Sequence, residues 1–152
     1  VVLSGGLCVN RGGPGVLAEI AALYEEFQCS IVAVQEVPMA EIDKYGVIAG
    51  TPERAGLTRV TEMGEKPRKD EAPSNLAVIG RYILTPDIFD IIRSTPPGRN
   101  GEVQLTDALQ VQAREGRVLA YQFEGLRFDC GSVPGFVEAT QHVYEHYYGR
   151  DE

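Results

Sequence analysis

Ser30-Ile31-Val32-Ala33-Val34-Gln35-Glu36-Val37 is the stretch of sequence that decides the fold. It is short, rich in β-branched side chains and bounded by Cys29 and Pro38, which predicts a buried strand. Just before it, apolar residues recur at helical spacing and predict an amphipathic helix over residues 14–28. Because this helix leads directly into a buried strand, the sequence indicates a layered α/β sheet.

The same kind of pattern predicts the other elements. Short apolar runs predict further strands at 45–49, 57–63, 76–84, 118–124 and 127–129. Helical spacing and end signals predict helices at 86–93, 106–115 and 134–148. Two of these strands flank Gly50-Thr51-Pro52 and are expected to form a hairpin around it. The apolar run at residues 1–7 looks like part of a core strand.

Composition limits the classes of function. The chain has 152 residues and a formal net charge of −8, so one domain over 1–152 is expected. The acidic balance argues against a nucleic-acid-binding surface, which needs clustered lysine and arginine. No apolar run is long enough to span a membrane and no secretion signal is present, so a cytoplasmic location is expected. Cys8, Cys29 and Cys130 lack metal-binding or disulfide spacing and are expected to be reduced thiols.

Glu65-Lys66-Pro67 follows a predicted strand and places an acid and a base in one loop. The lysine ammonium suits a phosphate, and the carboxylate suits the hydroxyls of a sugar. Pro67 is expected to hold Lys66 in an extended backbone conformation, which would direct the adjacent side chains differently. The alternative is a solvated charge pair without a ligand.

Three other segments are candidates for binding. Asp129, between an apolar strand and a helix, suits either Mg²⁺ or the cap of that helix. Gly46 beside Tyr45 offers bare backbone for close contact with a sugar, or else marks a bulge or a packing requirement. The loop at 101–107 either presents polar groups to a ligand or is a capped helix start, with Thr106 as the cap.

Taken together and in order, five blocks resemble the sugar-nucleotidyltransferase family, and within it the bacterial UDP-glucose pyrophosphorylases. The blocks are residues 45–48 (YGVI), 65–67 (EKP), 72–82 (APSNLAVIGRY), 101–107 (GEVQLTD) and 127–131 (RFDCG). The ordered set is far more specific than any single block. The similarity runs over nearly the whole chain and resembles the carboxyl-terminal half to two-thirds of those enzymes.

The resemblance implies a Rossmann-like mixed α/β sheet with flanking helices, and the reaction of UTP with glucose 1-phosphate to give UDP-glucose and pyrophosphate. It also implies roles for four residues. Lys66 would bind the phosphate of glucose 1-phosphate and Glu65 the glucose hydroxyls. Gly46 would lie against the sugar. Asp129 would be a ligand of the cofactor Mg²⁺, so that Lys66 and Asp129 would be the catalytic residues.

Two departures from the family pattern limit this implication. The glycine-rich nucleotide loop of the family is missing, and with it most of the nucleotide-binding part. Leu3-Ser4-Gly5-Gly6-Leu7 stands where the family has Leu-Pro-Asp-Asp-Leu, so a second magnesium carboxylate is missing. The chain by itself is therefore expected to be inactive, as part of an enzyme or, alternatively, as a noncatalytic sugar-phosphate-binding or assembly module. Tyr144, Tyr147 and Tyr148 suggest a contact between subunits of a homo-oligomer.

Overall fold

Eight strands form two sheets in the computed structural model, which describes residues 1–10, 12–98 and 101–149. In chain order the strands are β1 (Val2–Leu3), β2 (Leu7–Asn10), β3 (Ser30–Glu36), β4 (Gly46–Arg54), β5 (Leu57–Glu65), β6 (Leu76–Ile83), β7 (Val118–Gln122) and β8 (Gly125–Phe128). The larger sheet has six strands in the order β1-β6-β3-β7-β5-β4, and β2 pairs with β8 in a second sheet. Only β3 and β7 run parallel, so the larger sheet is mixed.

A second pairing of β4 closes five strands of the larger sheet into a ring. β4 pairs with β5 along most of its length and also pairs with β6 at Val47 and Ile48. Both of these residues are fully buried. Because β6 in turn pairs with β3, the ring holds the start of β4 in place from both sides.

Helices cover the large sheet on both faces. The helices are α1 (Val16–Phe27), α2 (Ile88–Ser94), α3 (Leu105–Arg114) and α4 (Val133–Val143), with a 3₁₀ helix at Met39–Lys44 and a π-helical turn at Tyr144–Tyr148. Of these, α1, α2 and α3 pack on the large sheet, whereas α4 lies against β8 of the second sheet. One core cluster joins α2 and α3 to the sheet, and another joins α1 to the opposite face. The expected mixed α/β architecture is thus confirmed. In the described part of the chain, no helix combines the length and the apolar character that crossing a membrane requires.

A buried polar network ties α3 to the sheet. Gln112 is fully buried; its Oε1 accepts a hydrogen bond from the Ser30 hydroxyl at 2.7 Å, and its Nε2 donates to the Thr85 hydroxyl at 2.8 Å. Nε2 also lies 3.2 Å from the carboxylate of Asp87, to which Arg117 donates at 2.8 Å. Hydrogen bonding from Thr85, followed by that from Arg117 and Gln112, lowers the pKa of the Asp87 carboxyl. The network satisfies polar groups that burial would otherwise penalise.

Two predicted features of the sequence are wrong. Gly50-Thr51-Pro52 lies within β4, and the hairpin turns at Ala55-Gly56 instead. A Cβ on Gly50 would lie 2.0 Å from the Arg59 carbonyl oxygen, and the strand register shifts there, so this glycine marks a bulge. The opening apolar run is not a core strand, because Val1 and Leu3 are 73% and 57% exposed.

Gln112→Leu is expected to lower the free energy of unfolding by about 2 to 3 kcal/mol, because the buried hydroxyls of Ser30 and Thr85 lose a partner while the volume is kept. Urea denaturation followed by circular dichroism measures the change. Gln141→Leu is the matched control, since Gln141 is exposed and its side-chain amide donates to the exposed Glu145, and it should change stability by less than about 0.5 kcal/mol. Equal stability of the two variants would contradict this role of Gln112.

Candidate functional site

A cleft of about 500 Å³ opens where β5 ends, within the size range of small-molecule sites. It is formed by the end of β5, the loop after it and the start of α3, and its lining residues are Glu62, Gly64, Glu65, Lys66, Pro67, Glu71, Pro73, Gly98, Gln104 and Asp107. The sequence-predicted pair Glu65 and Lys66 therefore lies in a cleft. Among the lining residues that the structure describes, Lys66 is the single cation beside four carboxylates.

The Glu65 carboxylate accepts a hydrogen bond from Thr106 and lies beside Gly46, which has no side chain. The Thr106 hydroxyl donates to Glu65 Oε2 at 2.6 Å. Gly46 is the cross-strand partner of Glu65, and a Cβ on it would lie 3.1 Å from Oε2 and 3.4 Å from Thr106 Oγ1. Gly46 therefore gives the carboxylate room to meet Thr106. Burial and then the negative charge of Glu65 raise the pKa of Tyr82 to about 12, so this phenol stays protonated at neutral pH.

Lys66 has an unusual backbone conformation. Its φ is +44°, in the left-handed region, so the expected extended conformation is wrong. The Lys66 N–H donates to the Tyr45 carbonyl at 3.0 Å, which continues the β4–β5 pairing by one residue beyond Gly46 and Glu65. This bond stabilises a conformation that residues other than glycine rarely adopt, and such strain is concentrated at functional sites.

Arg127 of β8 connects the two-stranded sheet to Tyr45, the residue before β4. Its Nη2 donates to the Tyr45 hydroxyl at 2.8 Å, and its guanidinium carbon lies 4.8 Å from the centre of the Tyr45 ring. The two contacts combine a hydrogen bond with a cation–π interaction. Through Tyr45 and its bond to Lys66, β8 is thus connected to the cleft.

Asp129 lies outside the cleft lining, in an exposed position after β8. Its Oδ1 accepts from the Gly131 N–H at 3.2 Å. The cap of α4 is Ser132, whose hydroxyl oxygen accepts from the Gly135 N–H at 3.2 Å, so the capping alternative for Asp129 is wrong. A Cβ on Gly6 would lie 3.1 Å from the Phe128 carbonyl oxygen, so the Ser4-Gly5-Gly6 segment runs close to the end of β8.

The described residues do not by themselves fit a magnesium ion. Across residues 1–10, 12–98 and 101–149, no three histidine, cysteine or acidic side chains are grouped so that they could hold a metal. Asp129 offers one carboxylate, whereas Mg²⁺ needs six oxygen ligands and takes the remainder from water and phosphates.

Thr106 has a role that the sequence did not predict. Helix α3 begins at Leu105, with Gln104 at the cap position and no side-chain cap, so the expected capping by Thr106 is wrong. Its hydroxyl is used for Glu65 instead. The polar character of the loop at 101–107 was the available signal, but sequence spacing could not connect it with Glu65, 41 residues away.

The sequence matches the Nucleotidyl transferase family over residues 1–146, and the chain therefore belongs to that family. Within it, the chain is 60% identical to a UTP–glucose-1-phosphate uridylyltransferase of Pseudomonas aeruginosa, over 97% of this chain and 53% of that protein. It is 45% identical to UTP–glucose-1-phosphate uridylyltransferase 2 of Staphylococcus saprophyticus, over 91% of this chain and 48% of that protein.

Solved structures agree with this grouping. A UDP-glucose pyrophosphorylase complexed with UDP-glucose superimposes with a TM-score of 0.89 at 52% identity, over 95% of this chain and 55% of that chain. A UDP-glucose pyrophosphorylase from Acinetobacter baumannii gives 0.80 at 34% identity, over 94% and 50%. The relatives thus belong to a UDP-glucose-making family.

The chain spans about half the length of the curated relatives it matches. The match is therefore partial, as the sequence indicated. The covered share gives no support to the further expectation that the matched part is the carboxyl-terminal half of those enzymes.

Gly46→Ala is expected to push the Glu65 carboxylate away from Thr106, because the new methyl group would lie 3.1 Å from Oε2. The control is Gly64→Ala, since a Cβ there meets nothing within 4 Å. At Gly64, loss of backbone freedom in the unfolded chain should raise the free energy of unfolding by about 0.4 to 1 kcal/mol, and the clash should cancel that gain at Gly46. Thermal unfolding compares the two; an equal gain at both positions would show that the Gly46 site has spare room.

Proposed function

We propose that this chain is the sugar-phosphate-binding part of a UTP:glucose-1-phosphate uridylyltransferase, which makes UDP-glucose and pyrophosphate. The observation that carries the proposal is the Glu65-Lys66 pair in the lining of the cleft, in a chain of the nucleotidyl transferase family. Its ligand would be glucose 1-phosphate or the glucose end of UDP-glucose. The relative solved with UDP-glucose supports this choice.

Different polar groups of the cleft would bind different parts of the ligand. Lys66 would meet the phosphate as a compact positive charge. Glu65 would accept hydrogen bonds from sugar hydroxyls, since a carboxylate is an acceptor for several donors. Gly46 supports close packing indirectly, by leaving the Glu65 carboxylate in place. In the complete reaction an oxygen of the sugar phosphate would attack the α-phosphorus of UTP, and this chain would contribute by positioning that phosphate.

We also propose that Asp129 is a magnesium ligand and that this site has low affinity for the ion in the absence of substrate. A single exposed carboxylate is a poor site for an ion that dehydrates reluctantly, so the substrate phosphates would supply the other oxygens. Ser4-Gly5-Gly6 adds no carboxylate.

A second candidate function is a noncatalytic sugar-phosphate-binding or assembly module derived from the same family. The glycines of Ser4-Gly5-Gly6, close to the end of β8, favour it, because a module that only binds does not need a second metal carboxylate. Both candidates use the same cleft. They differ in whether the complete protein that contains this chain turns over UTP.

We further propose that the chain forms a homo-oligomer through the outer face of α4 and the turn after it. The apolar side chains there are turned to solvent and are 56% to 79% exposed: Val133, Phe136, Val137, Tyr144, Tyr147 and Tyr148. A helix face of this kind is typical of a protein contact.

The free thiols of Cys8, Cys29 and Cys130 support a reducing compartment, which we take to be the cytoplasm.

Lys66→Ala is expected to weaken binding of glucose 1-phosphate by roughly one to two orders of magnitude, because a hydrogen bond to a charged group contributes about 1.5 to 3 kcal/mol. Glu65→Gln should weaken it less, since the amide keeps an acceptor oxygen. Isothermal titration calorimetry at fixed salt measures both. Lys69→Ala is the matched control, because this exposed lysine of the same loop pairs with Asp43 and is absent from the cleft lining. Unchanged affinity in Lys66→Ala would remove the site assignment.

The chain incubated with UTP, glucose 1-phosphate and Mg²⁺ is expected to form no UDP-glucose, because the glycine-rich loop and a metal carboxylate are missing from its sequence. Pyrophosphate release above a blank without protein would contradict this.

In the absence of nucleotide, calorimetry should show that the chain binds Mg²⁺ no more tightly than roughly millimolar, because Asp129 offers one carboxylate.

A further inference from the structure

We propose that Thr106 is a positioning residue of the ligand site, which fixes the Glu65 carboxylate so that one oxygen is held by the protein and the other faces the ligand. The inference rests on the proposed function, because Thr106 would orient Glu65 in the same ligand-binding cleft.

The first support is the way in which α3 is attached to β5. Thr106 and Gln110 are four residues apart, so they lie on the same face of the helix. Thr106 donates to Glu65, while Gln110 accepts from the Met63 N–H at 2.5 Å and donates to the Thr61 carbonyl at 3.3 Å. Three bonds thus set the register of the helix against the strand. Because Thr106 is only 8% exposed, its hydroxyl has little freedom to turn towards water instead.

The second support is the way in which the two oxygens of Glu65 differ. Oε2 has the Thr106 hydroxyl at 2.6 Å and the bare backbone of Gly46 beside it. No bond to Oε1 is found within residues 1–10, 12–98 and 101–149, and Glu65 lines the cleft. A threonine hydroxyl has one proton, and here that proton is given to the carboxylate.

The chemical consequence is selection of a hydrogen-bond donor. With Thr106 as donor, both Glu65 oxygens act as acceptors, so a ligand hydroxyl completes the arrangement. A ligand that presents an acceptor at this position, such as an ether or a keto oxygen, would face the lone pairs of Oε1. The site would thereby favour a sugar with free hydroxyls over one in which the same hydroxyl is methylated.

The test is titration of UDP-glucose into wild type, Thr106→Val and Thr106→Ser by calorimetry. Valine keeps the volume and removes the hydroxyl, so binding should be about tenfold weaker, whereas serine keeps the donor and should stay within about threefold. Thr61→Val is the matched control, since the Thr61 hydroxyl lies on the same strand as Glu65 but is exposed and bonded to the Ala49 carbonyl. It should bind as wild type does.

A double-mutant cycle separates positioning from a merely structural role. If Thr106 acts through Glu65, Thr106→Val in a Glu65→Ala background should change affinity by less than about twofold. A tenfold loss that persists in that background would overturn the proposal, and so would wild-type affinity in Thr106→Val.

Crystal structures of wild type and Thr106→Val give a readout that needs no ligand. The Glu65 carboxylate should rotate away from its position beside Gly46 in the variant, and an unmoved carboxylate would overturn the proposal. If wild type itself binds no UDP-glucose, the proposed function fails, and this comparison still decides whether Thr106 positions Glu65.

Discussion

The double pairing of β4 is the constraint on which the rest of the structure depends. Val47 and Ile48 have strand partners on both sides, Gly64 and Met63 from β5 and Ala77 and Leu76 from β6. A strand fixed in this way cannot slide against either neighbour without exposing two fully buried side chains. The residue just before Val47 is Gly46, and its partner is Glu65. The cleft is therefore built where the least adjustable part of the sheet ends, which is where a ligand site gains precision.

Strain and rigidity are combined at this point. Lys66 follows β5 with a positive φ that costs free energy, and the hydrogen bond from its N–H to the Tyr45 carbonyl offsets part of this cost. Tyr45 is held in turn by Arg127 from the small sheet. The direction of the lysine side chain thus depends on a residue from a distant part of the chain, and the two sheets are coupled at the candidate site even though no strand is shared between them.

The sequence predicted well what local pattern controls. β3 and β6 were found within a residue or so of their ends, because continuous apolar runs mark buried strands whatever their partners. That Glu65 and Lys66 share one loop could be predicted because they are neighbours in the chain, and the structure places both in the cleft lining. What could not be predicted depends on distant pairing. β2 acquires its structure from β8, and β1 lies exposed beside β6 rather than in the core. The bond from Arg127 to Tyr45 spans 82 residues. The sequence around Gly50 predicts a turn because turns and bulges both favour glycine, and the register with Arg59 distinguishes the two.

The buried network around Gln112 also has a consequence for the order of folding. Ser30 begins β3, but its hydroxyl accepts from the Thr85 N–H at 3.1 Å, after β6, and donates to Gln112 of α3. β3 gains its parallel neighbour β7 later still in the chain. During synthesis, the central strand would therefore emerge with an open edge and an unsatisfied polar group. Pairings between such distant segments slow the search for the native state, because a long loop must close before any contact rewards it. Until the second half of the chain has emerged, β3 would be the segment most in need of protection from other chains.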